Sequence, residues 1–472
     1  MTQRQAVPAA PGPLEAYALH FDDLFTRANQ RTAFRQYLEG LLLPAERNKT
    51  LTALANAEPI IGAQNASAQS LQWFLSESTW DPDTVNTRRL EVLRADPLTA
   101  PTTEGVLVID EQGDRKWGHK TAHVGTQYLA NLGKVDTGVV SVTSLWADEQ
   151  VYYPLHVKPY TPAHHFAKGK ADPAFRTKLA LALELVDAAV QAKISFRAVV
   201  ADCFYGEDDA VKRGLRARGL GYVLALKPSH AWWHPVDTIG SLAEVAETAG
   251  WTDAATPGTW VRVLRRFRDG HTEDWWALEI TAGPYGGERV QRAVVVTTDP
   301  ALLPEPTTWY LVTNLPAPGT AQAHAEGALP TADLAEIVRL YGLRNWVEQS
   351  YKHTKHALGW SQYQVRADIA IRRHWQLVCC AFSFCWYHQR QAAGETVQLV
   401  DRAAAPAHCS SPTTDEMAGR KKNQRQPGRP ATRLMARSTP SGEELAGALD
   451  HAVALLESVV HAASTTSVAA VA

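Results

Sequence analysis

Cysteine is scarce in this sequence of 472 residues, and none of its five cysteines forms a CxxC pair. They are Cys203, Cys379, Cys380, Cys385 and Cys409. Without paired spacing, the sequence argues against a structural zinc site and against a framework of disulfides. We expect Cys379, Cys380 and Cys385 to lie in a buried apolar helix.

Two further absences concern membranes and export. No apolar run approaches the length needed to cross a bilayer, and Met1 to Pro13 lack a basic region followed by an apolar stretch. With 45% hydrophobic and 20% charged residues, the composition is that of a globular protein with a sizeable core. We therefore expect a cytoplasmic protein without membrane spans. Its 472 residues exceed one ordinary core, which predicts two or three domains.

An excess of positive charge is also missing. The formal net charge is −2, whereas proteins that bind nucleic acid usually need an excess of Lys and Arg to neutralise phosphates. The average conceals two basic clusters. Seven basic residues lie between Arg339 and Arg373, against only Glu348 and Asp368, and a second cluster runs from Arg420 to Arg437. Because local charge decides contact with nucleic acid, the total does not exclude such a partner.

The pattern of apolar residues changes near residue 100. Residues from about Leu14 to Leu98 have helical periodicity, and a breaker-rich segment with Pro97 and Pro101 follows. From Glu104 the pattern is β-type, with the order three strands, helix, strand, helix, strand, which is typical of a mixed sheet with helices packed on it. The strand candidates are Gly105–Asp110, Gly138–Trp146, Val151–Tyr160, Phe196–Asp202 and Tyr222–Leu226, and the helix candidates are Pro173–Lys193 and Asp208–Arg218.

Two of these strand candidates end in an acid. Asp110 closes the apolar run GVLVID, and Asp202 closes FRAVVAD. Side chains at the carboxyl ends of neighbouring strands project into the same crevice, so the two acids are predicted to be neighbours in space. Taken alone, either acid is more often a turn or cap residue than a catalytic one. Glu111, beside Asp110, is expected to point elsewhere and to be exposed to solvent.

From Ser229 to Pro316, short strand candidates and Gly-rich turns indicate a β-rich insertion. Its tryptophans are expected mostly in the core, although one of them could stack on a base. They include Trp232, Trp233, Trp275 and Trp276. Helical patterning resumes from Ala332 to Leu358 and from Ile369 to Gln389. After Asp401 the composition favours a flexible basic tail, with one last helix candidate from Glu443 to Ala462.

The most informative segment is YGLRNWVEQSYKHTK, from Tyr341 to Lys355. On one continuous helix, Tyr341, Arg344, Glu348 and Lys355 would line up on one face. A carboxylate between two cations suits an acid that binds a metal while its neighbours hold phosphate oxygens. The alternative for this segment alone is an exposed helix with ordinary ion pairs, such as Arg344 with Glu348.

This spacing resembles the Tyr-Arg-Glu-Lys signature of a branch of bacterial insertion-sequence transposases of the DDE class, those similar to the type that cuts through a DNA hairpin. The four residues match the signature without a gap. IDEQGDRKWGHK, from Ile109, resembles the family's motif around its first catalytic Asp, and ADCFYG, from Ala201, resembles the motif around its second. A β-rich insertion before the Glu is also similar to that branch. The resemblance spans about Glu104 to Trp360 and, more loosely, the helical N-terminus.

The resemblance implies an α/β fold with a ribonuclease-H-like mixed sheet and flanking helices, a β-rich insertion before the helix of the catalytic Glu, and a helical N-terminal domain. It also implies a DNA transposase that binds terminal inverted repeats and catalyses strand cleavage and strand transfer. The implied catalytic acids and metal ligands are Asp110, Asp202 and Glu348. The DNA contacts are predicted at Tyr341, Arg344, Lys352 and Lys355.

Phosphodiester chemistry of this kind uses two divalent cations roughly 4 Å apart. Hard carboxylate oxygens suit Mg²⁺, with Mn²⁺ as a substitute. The predicted partners are double-stranded DNA, both transposon ends and target, and a second copy of the chain, because two DNA ends must be held together. Such a protein is expected at the nucleoid within the cytoplasm.

The predicted organisation has five parts. They are a helical N-terminal DNA-binding domain (1–100), the first part of the catalytic core (104–228), the β-rich insertion (229–330), the catalytic Glu helix with closing helices (331–400), and the basic tail (401–472). Two alternatives remain for the function. One is a domesticated or decayed transposase that only binds DNA, and the other is a two-carboxylate hydrolase, for instance one acting on glycosides, which needs no metal.

Overall fold

The structure is a computed structural model that describes residues 12–43, 48–57, 65–233, 239–267, 270–280, 291–303 and 307–403. Within these ranges a large mixed β-sheet carries flanking helices, so the predicted α/β class is confirmed. None of the helices there combines the length and the apolar character that crossing a membrane requires. Cys409 and the helix candidate from Glu443 to Ala462 lie outside the described residues.

Among the described residues, five α-helices precede the first strand. They are α1 (Gly12–Leu19), α2 (Ala28–Leu42), α3 (Leu51–Leu54), α4 (Ala66–Ser76) and α5 (Pro82–Ala95). Local chemistry explains where two of them begin. The Asn65 side chain accepts hydrogen bonds from two backbone N–H groups of α4, and Asp81 caps α5, in which a proline occupies the first turn. Both caps satisfy N–H groups that have no partner within the helix.

Strands and helices then alternate. The strands are β1 (Val106–Arg115), β2 (Gly125–Leu129), β3 (Lys134–Ala147), β4 (Tyr152–Tyr160), β5 (Val199–Ala201), β6 (Tyr222–Leu226), β7 (Ala231–Trp233), β8 (Ile239–Ser241), β9 (Val261–Arg266), β10 (Thr272–Ile280), β11 (Arg292–Thr297) and β12 (Trp309–Thr313). The helices are α6 (Lys178–Gln191), α7 (Cys203–Gly206), α8 (Asp209–Ala217), α9 (Leu242–Glu247), α10 (Leu334–Gly342), α11 (Asn345–Lys352) and α12 (Asp368–Ala403).

Ten of these strands form one sheet with parallel strands at its centre. Its order is β2-β3-β1-β5-β6-β12-β11-β10-β9, and β4 also pairs with β3. β1, β5 and β6 run parallel to one another, with β3 antiparallel to β1. β12 pairs antiparallel with β6. The strands from the predicted insertion therefore extend the central sheet, while β7 and β8 form a separate hairpin.

The first strand is longer than the sequence predicts. β1 continues five residues beyond the expected end at Asp110, and β3 pairs with it along its whole length, from Val106 to Arg115. The hydrophobic pattern misses this extension because Gln112 and Asp114 are polar and yet buried. Because these buried positions are polar, the sequence does not show there the alternation of apolar and polar residues that predicts a strand. β2 was not predicted either.

Helix α12 joins the N-terminal helices to the sheet. It packs against α1, α2, α4, α5 and β4. The buried side chain of Arg89, on α5, donates hydrogen bonds to the backbone oxygens of Pro154 and Leu155 on β4 and to the Ser383 hydroxyl on α12, at 2.7 to 2.9 Å. Three cysteines of α12 are buried, which confirms the prediction for Cys379, Cys380 and Cys385.

Candidate active site

Asp110 and Asp202 lie on neighbouring parallel strands. Ile109 of β1 is the register partner of Ala201, the last residue of β5, so the residues that follow them share one edge of the sheet. Their charges interact, since Asp202 raises the pKa of Asp110. The sequence reasoning thus placed these two acids correctly relative to each other, although Asp110 lies within a strand and not at its end.

The carboxylate of Asp110 is buried, with 8% of the residue exposed. Its Oδ1 accepts a hydrogen bond from the Glu111 backbone N–H at 2.7 Å, and its Oδ2 accepts one from Arg344 Nη2 at 2.8 Å. Burial raises the pKa of Asp110 to about 7, against the opposing effect of Arg344 and with the help of Asp202. Charge on Asp110 is thus costly unless a cation stands beside it.

Asp202 caps the short helix α7. It follows β5 directly, and its Oδ1 accepts a hydrogen bond from the Phe204 backbone N–H at 3.1 Å. The cap uses one carboxylate oxygen and fixes the orientation of the side chain. The Asp202 charge contributes to the raised pKa values of Asp110, Tyr205 and Tyr341. The acid therefore faces the same space as Asp110 and the end of α10.

Glu348 approaches from helix α11. Its side chain is 54% exposed, and Arg344 Nη1 lies 3.6 Å from Glu348 Oε1. Burial opposes the charge on Arg344, but Asp110, Tyr341, Asp202 and Glu348 together raise its pKa. Arg344 therefore lies between two of the predicted acids, Asp110 and Glu348. The charge of Asp202 also acts on Arg344, without an ion pair between them.

The predicted single helix from Ala332 to Leu358 is wrong in one respect, because it is broken twice. α10 ends at Gly342, α11 begins at Asn345, and a π-helical turn follows from His353 to Ala357. Glycine has low helix propensity, and the backbone tightens there into i to i+3 hydrogen bonds, such as Arg344 N–H to Tyr341 O at 3.0 Å. π-turns of this kind often occur at functional sites.

These breaks divide the predicted stripe of four residues. Tyr341 is close enough to Arg344 and Asp202 for both to affect its pKa, which burial raises to about 12, and its ring lies 5.0 Å from that of Trp309. Lys355 points to a different place, since its Nζ donates to the Gly113 backbone oxygen at 3.1 Å and lies 3.5 Å from Asp114 Oδ1. Lys352 is exposed on α11.

Asp114 is a buried acid that the sequence reasoning missed. It is 2% exposed, and neither of its carboxylate oxygens accepts a well-formed hydrogen bond. Burial raises its pKa, and Lys355 and Lys116 oppose that shift. Asp110, Gln112 and Asp114 alternate along β1 and share one covered face, so recognition of the longer strand would have revealed the row.

Glu111 and the tryptophans of the predicted insertion differ in how they compare with the predictions. Glu111 is not exposed as predicted. Its Oε1 lies 2.8 Å from Lys178 Nζ at the start of α6, and burial raises its pKa. Burial does confirm the core placement of three tryptophans of the predicted insertion. They are Trp232, Trp275 and Trp276. The side chain of Trp233 lies outside the described residues.

The three acids suit a divalent cation by their chemistry. They offer hard carboxylate oxygens, which Mg²⁺ prefers, and the positive charge that balances them comes from Arg344. Over the described ranges no group of three His, Cys, Asp or Glu side chains is already arranged to hold a metal ion. In this arrangement Arg344 Nη2 lies 2.8 Å from Asp110 Oδ2, and the Glu348 side chain is half exposed.

Two comparisons with known proteins bear on this site. A family profile described as "DDE superfamily endonuclease" matches residues 20–261, a range that includes Asp110 and Asp202 and ends before Glu348. The chain is also 31% identical over 369 residues to a protein of Microchaete diplosiphon named "Probable transposase for insertion sequence element IS701". That alignment covers 76% of this chain and 84% of the relative.

Proposed function

Because this chain belongs to the DDE superfamily of endonucleases, and within it to the insertion-sequence transposases, we propose that it binds the terminal inverted repeats of its own element and cuts and joins DNA there. The observation that carries the proposal is that Arg344 pairs with Asp110 and Glu348, while Asp202 follows the parallel strand adjacent to that of Asp110. We assign these three acids as the catalytic residues. The order of the central strands, with Asp110 and Asp202 at adjacent parallel positions, supports a ribonuclease-H-like core.

The acids would hold Mg²⁺, or Mn²⁺ in its place, as two ions per site. When bound, such ions lower the pKa of the attacking water or 3′-hydroxyl and stabilise the leaving oxygen. The protein's own contribution is to hold the ligands in place. The backbone N–H groups of Glu111 and Phe204 fix one oxygen each of Asp110 and Asp202, and this leaves the half-exposed Glu348 as the adjustable member.

Arg344 would have two partners in turn. Without a divalent ion it balances Asp110 and Glu348, and with an ion bound it would be free to donate to phosphate oxygens of the DNA. We assign Tyr341, Lys352 and Lys355 to the same DNA path. Support comes from the exposure of Lys352 on α11 and from the position of Lys355 farther along β1.

The remaining assignments follow from the same proposal. The helical region 1–100 would contact the element's ends, 104–228 and 331–400 would form the catalytic core, and 229–330 would be inserted between its parts. The basic segment 401–472 keeps its predicted character as a tail. A homodimer would hold two DNA ends together, and transposition would take place at the nucleoid.

The experiment is strand cleavage of a duplex that carries the element's end, with Mg²⁺ or Mn²⁺ and with a chelator. We expect cleavage that needs the metal and is lost in Asp202→Asn while DNA binding is kept. Wild-type protein that binds this duplex and never cuts it would favour the alternative of a DNA-binding protein only. Cleavage that persists in chelator would contradict the metal-dependent proposal.

A further inference from the structure

The segment that follows Asp114, at the end of β1, contains cations and no carboxylates. Residues 115–135, which we call the basic arm, comprise the end of β1, the turn after it, β2 and the first residues of β3. The arm has four basic residues and no Asp or Glu, in a chain whose net charge is −2. They are Arg115, Lys116, Lys120 and Lys134. Arg115, Lys120 and Lys134 are exposed, whereas Lys116 is half-buried, with its Nζ 3.3 Å from the centre of the Tyr363 ring.

Two acids, Asp114 and Asp136, border the arm and leave it positive. Asp114 is buried and faces Lys355 and Lys116. Asp136 Oδ2 lies 3.2 Å from Arg115 Nε and 3.8 Å from Lys134 Nζ. A single carboxylate is therefore shared by two exposed cations. Lys120 adds a third, so the surface keeps an excess of positive charge that suits a polyanion.

Exposed apolar side chains lie among these cations. Trp117 is 82% exposed, and the Arg115 guanidinium lies 4.1 Å from the centre of its ring. Tyr128 and Val135 are also exposed and are register partners, so they share one face of the β2–β3 hairpin. Aromatic rings interleaved with cations are the combination that binds nucleic acid through both bases and backbone. The folded monomer gains nothing from leaving such a surface in water.

The arm extends from the candidate active site. β5 ends opposite Ile109, whereas β1 continues to Arg115, so the arm projects from the edge that carries Asp110 and Asp202. Five residues of strand span about 17 Å. That length corresponds to roughly five base pairs of duplex, at 3.4 Å per pair. DNA that presents a phosphate to Asp110 can therefore reach the arm about half a helical turn away.

We propose that the basic arm binds the DNA about five base pairs from the cleaved phosphate, with Arg115, Lys120 and Lys134 on the backbone and Trp117 stacked on a base that is extruded from the duplex. This inference rests on the proposed transposase function and adds a binding surface to it. It also moves the base-stacking role away from the predicted insertion, where Trp232, Trp275 and Trp276 are buried.

The backbone contacts can be tested by titrating the end-bearing duplex by fluorescence anisotropy at several salt concentrations, without a divalent metal. Removing two phosphate contacts in Arg115→Ala/Lys134→Ala should lower the slope of log affinity against log salt by about two. The matched control is Arg266→Ala, an exposed cation on β9, the strand at the other end of the sheet. Its slope should equal that of wild type.

The stacking contact needs a fluorescent base. With 2-aminopurine placed at successive positions near the cleaved phosphate, wild type should change the fluorescence of one position about five pairs away, because that base leaves the duplex stack. Trp117→Ala should abolish that change and weaken binding roughly tenfold, and Trp117→Phe should restore most of both. The control is Leu264→Ala, which removes an apolar side chain that is 63% exposed on β9.

The outcomes separate the two proposals. Wild-type cleavage together with arm variants that match the β9 controls in salt slope and in 2-aminopurine fluorescence would overturn the inference and leave the transposase proposal standing. An arm variant that alters the monomer–dimer equilibrium and not the DNA affinity would assign the surface to a protein contact, and it too would overturn the inference. A wild-type protein that binds no end-bearing duplex would overturn both.

Discussion

Two ion pairs join the same face of β1 to the segment after α10, and their surroundings differ. Asp110 lies 2.8 Å from Arg344, and Asp114 lies 3.5 Å from Lys355. Near the first pair stand two further acids, Asp202 and Glu348. Near the second pair the additional charged group is a cation, Lys116.

This difference shows why one pair marks a candidate active site. Burial raises the pKa of both β1 acids, so burial alone does not distinguish them. The two pairs differ in the net charge of the groups around them. Around Asp110 the acids outnumber the cations, which leaves negative charge for a divalent ion to neutralise. Around Asp114 two lysines outnumber one acid, and the pair needs no further cation. We therefore expect equivalent changes at the two pairs to have unequal effects.

The largest contrast is expected between Asp110→Asn and Asp114→Asn in strand cleavage. Loss of a proposed metal ligand should reduce cleavage more than roughly a hundredfold, because changes to residues that merely support metal ligands already cost 10- to 100-fold. Asp114→Asn should reduce it about tenfold, through the position of Lys355. DNA affinity and unfolding midpoints serve as controls. Equal losses in the two variants would remove the distinction between the pairs.

A smaller contrast is expected in stability when the cations are removed. Without divalent metal, Arg344→Ala leaves Asp110 buried beside Asp202, and at a pH well above 7 we expect a loss of about 3 kcal/mol in the free energy of unfolding. Lys355→Ala should cost about 1 kcal/mol, because Lys116 still faces Asp114.

Added Mg²⁺ sharpens this comparison. It should stabilise Arg344→Ala more than wild type by binding the folded state, and it should stabilise Lys355→Ala no more than wild type. Urea unfolding with and without the ion measures both effects. An Arg344→Ala variant that is as stable as wild type, or whose unfolding free energy does not rise with Mg²⁺, would contradict the view that Arg344 balances the charge of the acids.

A further contrast concerns pH in the metal-free protein. The pKa of Asp110 is raised to about 7, whereas the unfolded chain releases this proton near pH 4. Between these values the folded state binds more protons, so this group's contribution to stability is present below about pH 4 and is lost as the pH rises through about 7. The slope is at most about 1.4 kcal/mol per pH unit.

Buried histidines act in the opposite sense. Burial lowers the pKa of His156 to about 3, and that of His353 and His374 to about 4, so their contribution is lost as the pH falls below about 6.5. The difference in unfolding free energy between wild type and Asp110→Asn isolates the carboxyl group. As the pH rises from about 4 to 7, the unfolding free energy of wild type should fall relative to that of Asp110→Asn. A difference that stays constant over this range would show that Asp110 titrates normally.

The sequence predicted the parts of the site that depend on local patterns. An apolar run that ends in an acid gave Asp110 and Asp202, and the spacing from Tyr341 to Lys355 gave Glu348 and Arg344. Features created by tertiary packing were missed. The ion pair of Glu111 joins it to Lys178, which is 67 residues farther along the chain, so no local pattern reveals it. The burial of Asp114 likewise depends on a distant segment, since Lys355 lies 3.5 Å from its carboxylate.

The most direct measurement of the central claim exchanges each carboxylate for a thiol. Asp110→Cys, Asp202→Cys and Glu348→Cys place a softer ligand at each position, which Mg²⁺ tolerates poorly and Mn²⁺ accepts better. Strand cleavage of the end-bearing duplex should be lost in Mg²⁺ for all three variants and recover in Mn²⁺ for at least one, while Asp114→Cys loses about tenfold to the same extent with either metal. Loss that no metal relieves, together with wild-type cleavage that resists a chelator, would contradict the assignment of these acids as metal ligands.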